Sequence, residues 1–339
     1  MTAGDFLRNS TVARGVQKMA LEKVIESYIS YYASGKGHTA RAKRLDLQRF
    51  TQFLISFRGV SSAKKLTVAD WDFSSVQRFV DDSLSKGESP ATVTRRLATL
   101  KHMGRTFAEK VAGFINPARE VKGPRVGMIK PQGLSDAQIA QIKTKARIRL
   151  SEKTSFIRLR NQTIFNLLLD TGLRADEIRT LKIGQLDEKL GWIKSVRTKG
   201  RRFRNVYVTS AMKADLEMYL DARAKELKRY YSKLTTSHDK ALPLFISTYG
   251  AKAGDVSSFA MGTKTLWRAV NELSADVKLH PHLLRHSFAL DLLHSSKDVR
   301  LVAQALGHSD VRTTMRYTER RDEEVAQALE ENRRRKKSS

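Results

Sequence analysis

HPHLLRHSFALDLLHSSKDVRLVAQALGHSDVRTTMRYT, residues 280–318, is the stretch on which the reading of this 339-residue chain turns. Apolar residues recur at three- and four-residue spacing over 283–293 and again over 299–306, which predicts two short helices, with Gly307 closing the second. Five of the eight histidines (His280, His282, His286, His294 and His308) fall within it, beside Arg285 and Tyr317. His282 and His286, at i and i+4, pose the question of a metal, but Arg285 between them repels a divalent cation and supplies no ligand, so no metal is expected. Arginine, histidine, lysine and tyrosine together suit phosphoryl transfer without one. Guanidinium forks neutralise a phosphodiester's developing charge. Lysine and histidine move protons, and a tyrosine hydroxyl can attack phosphorus, storing the bond energy as phosphotyrosine so that no ATP is needed.

Working upstream, WIKSVRTKGRRFRNVYV (192–208) is two β-prone runs around a basic, Gly-containing turn, the pattern of a hairpin. A helix over about 156–170 stops at Thr171-Gly172, and Ser135-Asp136-Ala137-Gln138 fits a capping box opening another helix with Ile139 and Ile142. Further helices are predicted over 211–228, 264–275 and 322–331. Residues 116–133 lose periodicity and carry Pro117, Pro124, Pro131, Gly123, Gly127 and Gly133, which marks a linker. The first half reads as helices over 19–32, from a Thr39 cap through Leu45, Phe50, Phe53 and Leu54, over 74–84, and from the Ser89 cap and Pro90 through Val93, Leu97, Leu100 and Met103. Thr92, Arg95 and Arg96 fall elsewhere on that last helix, as a solvated face or as phosphate contacts.

The formal net charge is +28, divided +11 over residues 1–125 and +17 over the remainder. Two basic halves suit two lobes gripping one duplex. With no cysteine there is no disulfide framework, thiolate nucleophile or Cys-based zinc site. No run approaches the roughly 18 apolar residues of a membrane span, so a soluble, unexported protein is expected. The absence of GxxxxGK[ST], HExxH, GxSxG and a strand-borne GxGxxG removes the usual support for an NTPase, a zincin, a serine hydrolase or a dinucleotide enzyme.

TGLRADEI (171–178), TKGRRFRNVYV (198–208), HPHLLRHSFA (280–289) and LGHSDVRTTMRYT (306–318) resemble, in order and spacing, the catalytic boxes of tyrosine recombinases, the phage-integrase and Xer-type enzymes. SPATVTRRLATLK (89–101) looks like that family's helical core-binding domain. One box alone is weak; four in sequence are specific. The resemblance implies a mainly α protein with a small β-sheet: an extension (1–16), a helical core-binding domain (17–115), a linker (116–133), an α+β catalytic domain (134–319), and a C-terminal helix with a basic tail (320–339). An accessory N-terminal domain is not expected.

The same resemblance makes Arg174 and Arg285 the phosphate clamps, Tyr317 the nucleophile, His282 its proton acceptor, Lys199 the donor to the departing 5′ oxygen, and His308 a holder of the scissile phosphate. Arg201, Arg202 and Arg204 leave the identity of the acid open, and Arg201 and Arg202 are also candidate DNA contacts. Glu177 reads as a support, while His280 and His286 read as structural or substrate contacts. Ala175-Asp176 departs from the family's apolar residue and Ser, which touches local packing. The implied function is site-specific DNA recombination in the cytoplasm, on the nucleoid, with no cofactor and no membrane. Double-stranded recombination sites would be the partner, and self-association to a tetrameric synapse would run through the C-terminal helix. A type IB topoisomerase and an inert DNA-binding regulator on the same scaffold are the alternatives.

Overall fold

Ser89 and Pro90 start a helix because the serine Oγ accepts the Thr92 backbone N–H at 3.3 Å and proline suits the first turn. In this computed structural model, which describes residues 15–125, 133–152, 155–198, 202–308 and 312–315, the chain divides into two units, Met1–Met128 and Ile129–Ser339. Lys199, Arg201, Tyr317 and the helix expected over 322–331 lie outside the described residues.

The first unit is built from α1 (Leu21–Tyr32), α2 (His38–Arg58), α3 (Phe73–Ser85) and α4 (Pro90–Ala108). Phe50 and Leu54 of α2, Val76 and Phe79 of α3, and Leu97, Leu100 and Met103 of α4 meet in one core closed by Trp71. Each such side chain contributes about 1.5–3 kcal/mol of burial, set against the entropy of ordering the chain. Thr39 is not the cap expected of it: α2 begins two residues earlier than such a cap implies, at His38, with Gly37 at the N-cap. Leu45, counted with the apolar face, is 48% exposed, because a stripe centred on Leu47, Phe50 and Leu54 turns it outward.

Asp46, 1% exposed, fastens α2 to α4 by accepting Arg95 Nη1 on both oxygens at 2.5 Å and Thr99 Oγ1 at 2.9 Å. Arg96 is buried too, its Nη1 lying 2.5 Å from Glu88 Oε2. Its place on the Val93–Leu97–Leu100 side of α4 turns it inward, which corrects its reading as a phosphate contact. The stretch expected to be linker from residue 116 begins as core: Ala118 and Val121 are buried, and Asn116 Nδ2 donates to the Lys101 carbonyl at 3.0 Å. Two small apolar residues three apart are too weak a pattern to read among prolines and charges.

The second unit is organised on α6 (Phe156–Thr171), with α5 (Asp136–Glu152) before it and α7 (Ala175–Thr180) after. Ile164, Phe165, Leu167 and Leu168 of α6 are wholly buried. The expected box opens α5, as the Ser135 backbone N–H donates to Gln138 Oε1 at 2.9 Å and Ser135 Oγ accepts in return. The basic hairpin is β1 (Trp192–Arg197) antiparallel to β2 (Phe203–Tyr207), in the register Trp192↔Tyr207 and Val196↔Arg204 with a bulge between Ile193 and Val196. Ile193, Val196 and Val206 face the core. Then come α8 (Ser210–Leu227), α9 (Thr236–Ala241), α10 (Thr263–Asn271), α11 (Pro281–Ser296), α12 (Val299–Leu306) and α13 (Arg312–Met315). The six-residue α9 carries too little apolar periodicity to have been read. The fold class is mainly helical with one small antiparallel sheet, and among the described residues no helix is long and apolar enough to cross a membrane.

Candidate active site

α6 ends at Gly172, whose φ of +60° is left-handed, and a Cβ there would meet Phe288 Cδ1 at 2.3 Å. The short turn that follows delivers Arg174 to the N-cap of α7. Glu177, at the third position of that helix, reaches back: Oε2 accepts the Arg174 backbone N–H at 2.9 Å and Oε1 accepts Arg174 Nη1 at 2.8 Å. The same carboxylate accepts Arg204 Nη1 at 3.3 Å and Nη2 at 3.1 Å from β2, and Arg285 Nη1 lies 4.0 Å from it. Glu177 is 4% exposed, so one buried carboxylate stands against three guanidinium groups. The surplus is positive and suited to an anion. Of the three, Arg174 is the most open, at 26% side-chain exposure against 11% for Arg204 and 5% for Arg285.

α11 brings the second clamp. His280 caps it, its Nδ1 accepting the Leu283 N–H at 3.1 Å, and Pro281 occupies the first turn. His282 and Arg285 follow three residues apart, on neighbouring turns of one face. Arg285 donates from Nη1 to the Gly172 carbonyl at 2.6 Å and from Nη2 to the Leu306 carbonyl at 2.8 Å, with His308 Nε2 at 3.0 Å. A guanidinium only donates, so His308 Nε2 accepts and its proton sits on Nδ1, which lies 2.7 Å from Thr314 Oγ1. Thr314 is fully buried on α13, three residues before Tyr317 in the chain.

His282 keeps an accessible edge, while burial of the rest of the ring, then the neighbouring His280, Arg285 and Arg174, push its pKa below the ordinary 6.5. Trp267 of α10 stacks on His280 at 5.5 Å between centroids and sets its ring 6.4 Å from His282. A depressed value keeps the imidazole neutral, the form that accepts a proton. If His282 is the base, strand cleavage persists as pH falls through 6.5 and is lost only below it. Single-turnover cleavage against pH checks this. The acid limb should disappear in His282→Gln, and a limb unchanged by that substitution belongs to another group.

Arg174, Glu177, Arg285 and His308 are thus brought together, with His282 one turn from Arg285. Arg202 is exposed, and its carbonyl accepts the Thr198 N–H at 2.8 Å across the turn. Thr92 and Arg95 lie in the first unit, Thr92 Oγ1 against Ser89 Oγ at 2.9 Å and Arg95 on Asp46. Among the described residues no group of three or more His, Cys, Asp or Glu side chains is placed to hold a metal ion. Arg204 was weighed only as an alternative to Lys199 for the acid, not as a partner of Glu177, and Thr314 was not anticipated in the site. For Arg204 a signal existed: by strand alternation it shares the inward face of Val206, and a charge there requires a partner.

A family model described as "Phage integrase family" matches residues 134–324. The chain is similar to the protein named tyrosine recombinase XerC of Pseudomonas savastanoi pv. phaseolicola, with 28% identity over 301 residues covering 88% of this chain and 91% of the relative. It is 29% identical to the XerC of Thermodesulfovibrio yellowstonii, over 87% of this chain and 90% of that one. Among solved structures, the XerH site-specific recombinase bound to a palindromic difH substrate, a post-cleavage complex, matches with a TM-score of 0.65 and 20% identity, over 86% of this chain and 78% of that chain. The Tn1549 transposon integrase in complex with a circular intermediate DNA matches with a TM-score of 0.65 and 16% identity, over 93% and 99%. At these identities the structures speak to the fold.

Proposed function

Because the chain belongs to the phage integrase family and is a tyrosine recombinase, an enzyme that breaks and rejoins DNA strands, we propose that it acts as a site-specific recombinase through a 3′-phosphotyrosyl intermediate, without metal or ATP. The observation that carries this reading is the convergence of Arg174 and Arg285 about one buried carboxylate, Glu177, with His308 against Arg285. Such a cluster offers a dianionic transition state fixed positive charge where other enzymes place Mg²⁺.

In the proposed step the Tyr317 hydroxyl oxygen bonds to the scissile phosphorus and the bond from phosphorus to the 5′ oxygen breaks. His282 takes the tyrosine's proton, and Lys199 supplies one to the departing 5′ oxygen. Arg174 and Arg285 clamp the non-bridging oxygens, His308 holds the phosphate, and Glu177 orients the arginines. Attack by the partner strand's 5′ hydroxyl reverses each transfer and reseals the backbone, so the energy of the broken bond is kept in the phosphotyrosine.

The basic first unit serves as the core-binding lobe, with Thr92 and the outer edge of Arg95 at the backbone. Arg201 and Arg202 contact DNA from the hairpin turn. Two protomers occupy each site and four form the synapse, joined through the C-terminal segment over 322–331, in whose sequence Val325, Ala326 and Leu329 recur at three- and four-residue spacing. The proposed substrate puts the enzyme on the nucleoid of a bacterial cytoplasm, with a phage, an integrative element or a replicon dimer as the DNA it acts on.

Once inverted repeats beside the coding region have been located, a nicked duplex carrying them tests the reading. Incubated with the protein in EDTA and without ATP, it should give a denaturant-resistant adduct at the 3′ phosphate, and paired sites should assemble a four-protomer complex of matching mass. Cleavage that is lost in EDTA and restored by Mg²⁺ would overturn the proposed chemistry.

A further inference from the structure

Arg204 is the one charged residue on the inward face of β2, where it stands beside Val206. Its guanidinium touches two groups that are remote in sequence. Nη1 donates to the Leu306 carbonyl at 2.9 Å, while Nη1 and Nη2 donate to the Glu177 carboxylate at 3.3 and 3.1 Å. Each of those groups anchors a clamp arginine: the Leu306 carbonyl also accepts Arg285 Nη2, and the Glu177 carboxylate also accepts Arg174 Nη1. Gly307 is shaped to this contact from the other side. Its φ is +64°, and a Cβ there would stand 2.3 Å from Arg204 Nη1. With its side chain only 11% exposed, Arg204 is poorly placed to meet substrate itself.

We propose that Arg204 is a positioning residue for strand cleavage, holding the Glu177 carboxylate and the Leu306 carbonyl in the arrangement that aims Arg174 and Arg285 at one phosphate. This rests on the recombinase chemistry proposed above. A planar fork is needed, because it must satisfy a carboxylate and a carbonyl in one plane, and the point charge of lysine can engage only one of them well. The nitrogens given to those two anchors also make Arg204 a poor candidate for the acid that protonates the leaving oxygen.

The test uses the full chain and two substrates, a nicked suicide duplex with an ordinary scissile phosphate and the same duplex with a methylphosphonate there. Replacing a charged non-bridging oxygen by methyl lowers the negative charge that the clamp must neutralise. Arg204→Lys should cut single-turnover cleavage of the phosphate by about 100-fold with DNA affinity changed by no more than about threefold, and the defect should shrink to about tenfold or less on the methylphosphonate. Gly307→Ala, which displaces the same guanidinium, should reproduce that dependence on substrate. Equal losses on both substrates would mean a merely loosened fold, and wild-type rates in both variants would mean no role; either result overturns the inference. Failure of the unaltered protein to form any adduct on the phosphate duplex would instead count against the proposed recombinase chemistry.

Discussion

Tyr317→Phe removes one oxygen and keeps the ring, so the variant should bind its DNA as the unaltered protein does and yield no covalent adduct. If Tyr317 is the nucleophile, its loss cannot be offset by the clamp, since without its hydroxyl oxygen no bond to phosphorus can form. Cleavage should fall by at least about 10⁴-fold, the scale on which removal of a covalent nucleophile is felt. If phosphate contacts across both basic units set the affinity, it should change by less than about twofold. Denaturing gels of the nicked duplex after overnight incubation provide the measurement. An adduct that persists in Tyr317→Phe places the nucleophile on another residue, and peptide mapping of that adduct would identify it.

Glu177→Gln is the second large effect, and it acts on both stability and rate. The substitution preserves shape and one acceptor oxygen but removes the only carboxylate facing Arg174, Arg204 and Arg285 in the described site. Two of those guanidiniums have side chains about one-tenth exposed or less, and buried cations deprived of their counter-charge are costly. A loss of about 3 kcal/mol in unfolding free energy is expected, at the lower end for breaking a buried ion pair because a hydrogen-bond acceptor remains. Cleavage should fall by about 100-fold, as mutual repulsion turns the arginines away from a shared target. Urea unfolding and single-turnover cleavage, measured on the same preparation, read the two effects separately. A stable, fully active Glu177→Gln would mean that the carboxylate neither supports the fold nor orients the clamp.

The catalytic boxes were legible because they pack chemistry into short, ordered runs, and no three-dimensional information is needed to see TGLR, HPHLLRH and LGHSDVRTTMRY follow one another. The same holds where a local rule decides conformation. Ser89-Pro90 starts α4, Gly172 stops α6, and alternating β-prone residues around a basic turn make the hairpin, since capping, left-handed φ and strand periodicity each act within a few residues. Arg96 fails for the opposite reason. Its burial depends on Glu88, which precedes its helix, and on a core formed with α2, and sequence periodicity counts an arginine as polar wherever it points.

By itself, the amino-acid order determined the family, the helical character of both units, the hairpin, and the residue types available for phosphoryl transfer, because each is written in local pattern. Only the tertiary structure decided how they are joined. Arg204 meets Glu177 across 27 residues and Leu306 across 102, and Arg285 meets the Gly172 carbonyl across 113. Two of those three partners are backbone carbonyls, which every residue carries and no side-chain pattern marks. The buried carboxylate shared by three guanidiniums exists only once α7, β2 and α11 have packed around it.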